Sequence, residues 1–242
     1  MEKEATEDIT NLMNTNRRWK TKACGGTDYH SHVLPKMDDG AKEIEISIEM
    51  LRKLKQQGIS TVYATPHYYR HLETVDEFLK RRKSAFETIS EEVKKLHLHL
   101  KLGAEIYIER ELCKENNIRL LSYENTQYIL LEFPRTGFES WMLEEVEAIC
   151  YSNHLIPVFA HLERYLDFFS SDEIAKILAF FPAIVQVNWS SLKNIRVLCW
   201  TRSLIRSGHP VIFGTDCHNL TNRKPDAFLF FTRDLLKAEM EF

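Results

Sequence analysis

Thr27-Asp28-Tyr29-His30-Ser31-His32 opens a pattern that recurs along the chain: a short β-rich run ending in side chains able to bind a cation. The next such runs are Ser60–Thr65, Leu98–Ile106, Gln127–Phe133, Ile156–His161, Ala183–Asn188 and Pro210–Asp216. Between them, apolar residues recur at helical spacing. Ile44, Ile48, Leu51 and Leu54 line one helical face ahead of Gly58, and Val75, Phe78, Leu79, Phe86, Ile89 and Val93 line a longer one. Further helices are expected around Met142–Cys150, Ile174–Leu178, Leu192–Ser207 and Phe228–Leu236. Sustained strand–helix alternation predicts parallel strands joined by crossover helices, since a parallel partner is reached only through a long return connection. Seven such strands in one unit predict a closed or nearly closed β/α barrel. Residues 1–25 are polar and weakly periodic, and read as a loosely ordered extension ahead of one domain over 26–242.

Bulk properties narrow the function classes. Hydrophobic residues make up 44% of the 242, enough for a sizeable core. The net charge of −3 offers no basic footprint for nucleic acid or an anionic membrane. Cys24, Cys113, Cys150, Cys199 and Cys217 are scattered, with no spacing of a zinc finger or a disulfide framework, which suits a reducing compartment. The first 22 residues lack the order of a secretory signal. The apolar run Ile177–Val187 is broken by Pro182 and Gln186 and is too short to span a bilayer. The expected location is cytoplasmic, without membrane insertion.

The chemistry lies where polar residues meet strand ends. The expected strands end in His30 and His32, in His67, at Glu105, at Glu132, at His161, and in Asp216 with His218. Six of the seven strands thus bring ligand-type residues, and in a β/α barrel the C-terminal strand ends converge on one face. Side chains two apart on a strand share a face, so His30 and His32 can grip one cation, as can Asp216 and His218. A lone strand-end histidine is usually a solvated or hydrogen-bonded residue; six convergent ends are not independent accidents. Mixed nitrogen and oxygen donors without cysteine suit Mn²⁺, Fe²⁺ or Zn²⁺. His97, His99 and His154 lack convergent partners, His209 precedes its strand, and His71 lies past one, so none joins the set. Cys113 to Arg119 has the Cys-x5-Arg spacing of a cysteine phosphatase, but Glu115 and the absence of glycine argue against a phosphate cradle there.

Taken in order, Asp28-x-His30-x-His32 with Asp38-Asp39-Gly40, Ala64-Thr65-Pro66-His67, Gly103-Ala104-Glu105-Ile106-Tyr107, Leu131-Glu132-Phe133, Ala160-His161-Leu162-Glu163-Arg164-Tyr165 and Asp216-Cys217-His218-Asn219 resemble the polymerase-and-histidinol-phosphatase (PHP) superfamily. Within it they look like the bacterial protein-tyrosine phosphatases found with capsule and exopolysaccharide systems. The resemblance runs from residue 27 to 225. It implies a distorted seven-stranded β/α (TIM-like) barrel holding three divalent metal ions, usually Mn²⁺. One ion would take His30, His32, Glu105 and Asp216; a second Glu105, Glu132 and His161; a third Asp39, His67 and His218. The implied substrate is a phosphotyrosine-containing protein, a bacterial tyrosine autokinase that controls polysaccharide assembly. Relative to the family pattern, this chain adds the extension, shortens the link from Asn188 to Pro210, and stops at Phe242 before the segment that usually closes the barrel.

The residues support phosphate-ester hydrolysis by a bridging hydroxide that attacks phosphorus in line, because coordinated water is acidic enough to ionise near neutrality. Arg164, three after His161, and Arg223, five after His218, are placed to clamp phosphoryl oxygens as guanidinium forks. Two other readings stay open: a small-molecule PHP enzyme such as a histidinol-phosphate phosphatase, and a non-catalytic metal-binding interaction protein. Glu132 and the Glu163-Arg164-Tyr165 run favour the tyrosine branch over the first. The size of the ligand set weighs against the second, since burying so many charges without ions is costly.

Overall fold

The computed structural model describes residues 26–180 and 182–227. The extension expected over 1–25, Cys24 and the helix expected over Phe228–Leu236 lie outside the described residues. Among the described residues there are nine short strands: β1 (Gly26–Ser31), β2 (Ile59–Ala64), β3 (His67–Tyr68), β4 (His99–Leu102), β5 (Glu105–Tyr107), β6 (Tyr128–Glu132), β7 (Ile156–Phe159), β8 (Ile184–Asn188) and β9 (Val211–Gly214). All pairings are parallel. The helices are α1 (Ile44–Gln56), α2 (Val75–Lys95), α3 (Ser140–Asn153), α4 (Ser171–Leu178) and α5 (Ile195–Arg206).

The nine strands are seven passes of the chain, two of them broken. The second pass breaks at Thr65-Pro66, and the pass expected to be continuous over Leu98–Ile106 breaks at Gly103-Ala104. Proline has no N–H to extend the ladder. Past the breaks the strands change sheets: β1-β2-β4 form one, and β3-β5-β6-β7-β8-β9 form the other. Gly103 N–H still donates to Ala64 (2.9 Å) and Glu105 N–H to Pro66 (3.0 Å), so the second and third passes stay side by side across their breaks. Below the break, Tyr123 and Glu124 fill the space between β4 and β6, with Glu124 N–H donating to Leu102 and Tyr123 N–H to Tyr128, both at 2.8 Å. The ring closes where β9 meets β1. Asp216 N–H donates to His30 O (2.7 Å), His32 N–H to Cys217 O (2.9 Å), and Ser31 bridges Cys217 in parallel. The result is the expected distorted seven-stranded β/α barrel, closed among the described residues by β9 itself.

Period-two alternation sorts each strand. On β6, β7, β8 and β9, Tyr128, Leu130, Ile156, Val158, Ile184 and Ile212 fill the lower barrel interior with Tyr63 and Tyr123. Their neighbours Ile129, Leu131, Phe159, Val185, Val187 and Val211 face outward into the larger core beneath the helices. There Met50, Leu51 and Leu54 of α1, Phe78 and Ile89 of α2, and Met142, Val146 and Ile149 of α3 pack against them. Each fully buried side chain of this size contributes about 1.5–3 kcal/mol. Capping boxes start two helices: Thr74 accepts from Glu77 N–H and Ser170 from Glu173 N–H, with each glutamate reaching back to the cap. The helix expected over Leu192–Ser207 is split. Trp189–Lys193 is a 3-10 turn, and Asn194 caps α5 by accepting from Arg196 N–H. Among the described residues, no helix is long and apolar enough to cross a membrane.

Candidate metal centre

At the upper end of the same inward columns the side chains turn polar. Above Leu130 stands Glu132; above Ile184 stand Gln186 and Asn188; above Ile212 come Gly214 and Asp216. All nine residues expected to bind metal gather there, and all but Asp39 and His67 are buried. His161 and Asp216 reach the centre from left-handed backbone (φ 32 and φ 51), a conformation that costs non-glycine residues about 1–3 kcal/mol and clusters at functional sites.

The donors converge as ligands do. His30 Nε2 and His32 Nε2 lie 3.2 Å apart. Glu105 Oε2 is 3.0 Å from the first and 3.1 Å from the second, and Asp216 Oδ1 is 3.6 and 3.4 Å from them. Four ligands held tetrahedrally about 2.1 Å from one cation would lie about 3.4 Å from one another. Glu105 Oε1 accepts from or opposes His161 Nε2 at 2.8 Å, with Glu132 Oε1 3.6 Å from the same nitrogen. His67 stands between groups, with Nδ1 3.2 Å from Glu105 and 3.8 Å from Glu132, and Nε2 3.6 Å from Asp39. His218 Nε2 is 3.2 Å from Asp39, and its ring lies 3.7 Å from that of His32. Three sets can hold a cation: His30-His32-Glu105-Asp216, His67-Glu105-Glu132, and His32-Asp39-His67-His218. The expected sets differ in three respects: His67 faces two of the groups, His32 also borders the third, and His161, expected with Glu105 and Glu132, belongs to none of the three although its Nε2 lies 2.8 Å from Glu105 Oε1.

Divalent cations fit this cage on two grounds. Glu105 Oε2, His67 Nδ1 and His218 Nε2 are buried without a well-formed hydrogen bond, although each faces another donor atom of the cluster at 3.0–3.2 Å. Charge is also out of balance. Burial and the neighbouring Glu105 raise Glu132 to about 8. Glu105 itself stays well below the carboxylate range because His30, His67 and His161 together outweigh its burial. Burial, then Arg164, lowers His161 to about 4, leaving a neutral imidazole with a lone pair to give. Two adjacent carboxylates can both ionise here only if cations supply the missing positive charge.

Several supporting residues stand outside the expected ligands and phosphate clamps. Asp38 Oδ2 sits 2.6 Å from His32 Nδ1 and also accepts from His67 N–H (2.8 Å), fixing one histidine's ring and the other's backbone. Gly40 follows because a Cβ there would collide with His32 and Asp38. Gln186 Oε1 meets His30 Nδ1 (2.9 Å) and His161 N–H (2.7 Å), while its amide donates to Asn188, whose own amide donates to Asp216 Oδ2 (3.1 Å). Such partners orient metal-binding imidazoles and carboxylates. Asp28 accepts from His30 N–H, Thr215 N–H and Thr215 Oγ1 at the β1–β9 seam, and burial raises it to about 6. Glu163, raised to about 7 by burial, accepts from Ser191 Oγ and Asn188 N–H. The signal for Gln186 and Asn188 was present: two polar residues at period two in the otherwise apolar Ile184-Val185-Gln186-Val187-Asn188.

Arg164 and Arg223 lie at the cage wall. Arg164 pairs with Asp216 Oδ2, and Arg223 Nη2 with Asp216 Oδ1 at 2.7 Å; Arg223 Nη1 is 3.5 Å from Asp39. The omitted histidines lie away from it: His97, His99 and His154 are exposed, and His71 pairs with Glu109 at 2.6 Å. Cys113 to Arg119 spans two 3-10 turns, not a phosphate loop. Burial, then Glu145, pushes the Cys113 thiol up, and Arg119 is committed to the Asn153 and His154 carbonyls.

Residues 26–231 match the family described as capsular polysaccharide synthesis, CpsB/CapC. The chain belongs to that family. Tyrosine-protein phosphatase YwqE of Bacillus subtilis (strain 168) is 32% identical over 232 residues, covering 89% of this chain and 84% of that protein. Tyrosine-protein phosphatase CpsB of Streptococcus agalactiae serotype III is 26% identical over 229 residues, covering 87% and 91%. Among solved structures, one from work on YwqE of B. subtilis and CpsB of Streptococcus pneumoniae, described as unique metal-dependent tyrosine phosphatases, superposes with a TM-score of 0.69 at 28% identity, covering 88% of this chain and 87% of that one. The CpsB/CapC assignment agrees with the resemblance drawn from the motifs.

Proposed function

We propose that this CpsB/CapC chain is a metal-dependent tyrosine-protein phosphatase, and that its three ligand groups hold three divalent ions, Mn²⁺ in the working enzyme. The observation that carries the reading is Glu105, a buried carboxylate facing His30, His32, His67 and His161 between 2.8 and 3.2 Å. When bound, divalent cations supply Lewis acidity toward phosphoryl oxygens and an activated water at neutral pH. The chain's own part is placement. Glu105, Asp216, Asp39 and Glu132 provide negative charge for the ions, and Asp38 and Gln186 hold His32 and His30 in orientation. Arg164 and Arg223 present forked donors beside Asp216, where phosphoryl oxygens can take one of their N–H groups each. The phenolate of tyrosine leaves with a pKa of about 10, so little general-acid help is required. The names of the relatives support a phosphotyrosine protein as substrate, and a bacterial tyrosine autokinase of capsule or exopolysaccharide assembly is its proposed identity, met in the cytoplasm.

Chelation followed by dialysis is expected to abolish release of phosphate from a phosphotyrosine peptide, and Mn²⁺ to restore it, with metal analysis showing three ions per chain. Histidinol phosphate assayed alongside should turn over far more slowly. Restoration without added metal, or a preference for histidinol phosphate, would overturn the proposal. Cys113→Ser should leave the rate within about twofold, because the thiol sits apart from the cage and is held protonated by burial and Glu145. A cysteine mechanism would instead lose nearly all activity.

A further inference from the structure

We infer that Tyr69 and Tyr107 form a seat for the aromatic ring of the substrate and give the centre its preference for aryl over alkyl phosphates; the inference rests on the phosphatase reading above. Strand register puts them in place. His67 pairs with Glu105 and Tyr68 with Ile106 across β3 and β5, and Tyr107 pairs with Glu132 across β5 and β6. Side chains two apart share a face. Tyr107 therefore stands one step above Glu105, on the cage side and toward the barrel mouth, and Tyr69, the first residue past β3, is brought beside it. That step is about 7 Å, two residues of strand rise, which suits a ring attached to a phosphoryl group held at the cage.

The side chains agree with the register. The two rings have centroids 5.5 Å apart at 49°, and Tyr69 lies 5.4 Å from the His67 ring. Both are partly exposed, and neither belongs to either hydrophobic core. The loop that carries Tyr69 is fixed rather than free. One carboxylate, Glu109, takes Arg70 N–H at 2.7 Å and meets His71 Nδ1 at 2.6 Å. Aromatic rings pack offset or edge-on at such separations, and an incoming phenyl ring would find two faces already placed.

The test is calorimetric binding of phenylphosphonate and methylphosphonate to the Mn²⁺-loaded protein, with metal content measured in parallel. Tyr69→Ala and Tyr107→Ala are each expected to weaken phenylphosphonate about three- to tenfold while leaving methylphosphonate within about twofold and metal content unchanged. Tyr69→Phe should bind both ligands as the parent does. Should Tyr69→Ala lose metal, Tyr69→Leu, which keeps most of the volume, is read in its place. Equal weakening of both ligands, or no change in either, overturns the aromatic seat. A parent protein that hydrolyses phosphotyrosine peptide but binds the two phosphonates equally overturns the seat alone. A parent that hydrolyses no phosphate ester yet still prefers phenylphosphonate overturns the phosphatase reading and leaves the seat standing.

Discussion

Glu105→Gln is expected to lower the rate of phosphotyrosine hydrolysis by at least about 10³-fold and to reduce bound metal to one ion per chain. The carboxylate belongs to two of the three ligand groups and lies within 3.2 Å of four imidazoles. Glutamine keeps the shape but removes the charge and places an NH₂ where a lone pair is needed. It also changes the balance around Glu132. With Glu105 ionised, Glu132 is raised to about 8 by burial and by that neighbouring charge. With Glu105 neutral, Glu132 loses the like charge that opposes its ionisation, so Glu132 becomes the stronger acid while the group as a whole loses a ligand. Metal analysis and single-turnover kinetics on the same sample decide the outcome. Three retained ions with a near-normal rate would show that Glu105 is an ordinary buried acid held by histidines.

The cage was legible in the sequence because its donors sit at strand ends, and strand ends are the most repetitive feature of a β/α chain. His30 and His32 share a face by period two, and His67, Glu105, Glu132 and His161 each end or follow an apolar run. The barrel was legible for the same reason. What sequence did not give was anything decided by tertiary neighbours. Asp38 and Asp39 are chemically alike and adjacent. Only the fold turns Asp38 inward to His32 and His67 and leaves Asp39 at the rim with His218. Gln186 and Asn188 lie on the one strand from which no ligand is expected, because amides are poor ligands for these ions. Their work is to orient His30 and Asp216. The break of Leu98–Ile106 into β4 and β5 was invisible, since a run of strand-forming residues carries no mark of which sheet each half joins. His67 facing two ligand groups follows from that break, which brings β3 and β5 together above it.

Gly214→Ala tests the closure of the barrel, and a large effect is expected from a single methyl group. Gly214 ends β9 directly against β1, and a Cβ there would lie 2.6 Å from His30 Cβ and 2.8 Å from His30 N. Neither is the far end of a flexible side chain, so one strand must move. The seam has little freedom to do so: Thr215 donates to Asp28 through both its N–H (2.8 Å) and its hydroxyl (2.6 Å), and Asp216 N–H donates to His30 O (2.7 Å). Overpacking of this kind typically costs 1–3 kcal/mol. For a domain of this size that is a fall in Tm of about 2–12 °C. The functional loss should be larger than the stability loss, because the strands forced apart carry His30 and Asp216, members of one ligand group. A displacement near 1 Å at a catalytic centre costs about 10²-fold. Gly208→Ala provides the control. That glycine has φ +83 but nothing within 4 Å of a would-be Cβ, so alanine there meets backbone strain without collision. Gly208→Ala should lower Tm modestly and leave metal content and kcat near the parent's. Gly214→Ala should lower all three, and a variant that kept the parent's metal content and rate would mean that β1 and β9 can part without disturbing the cage.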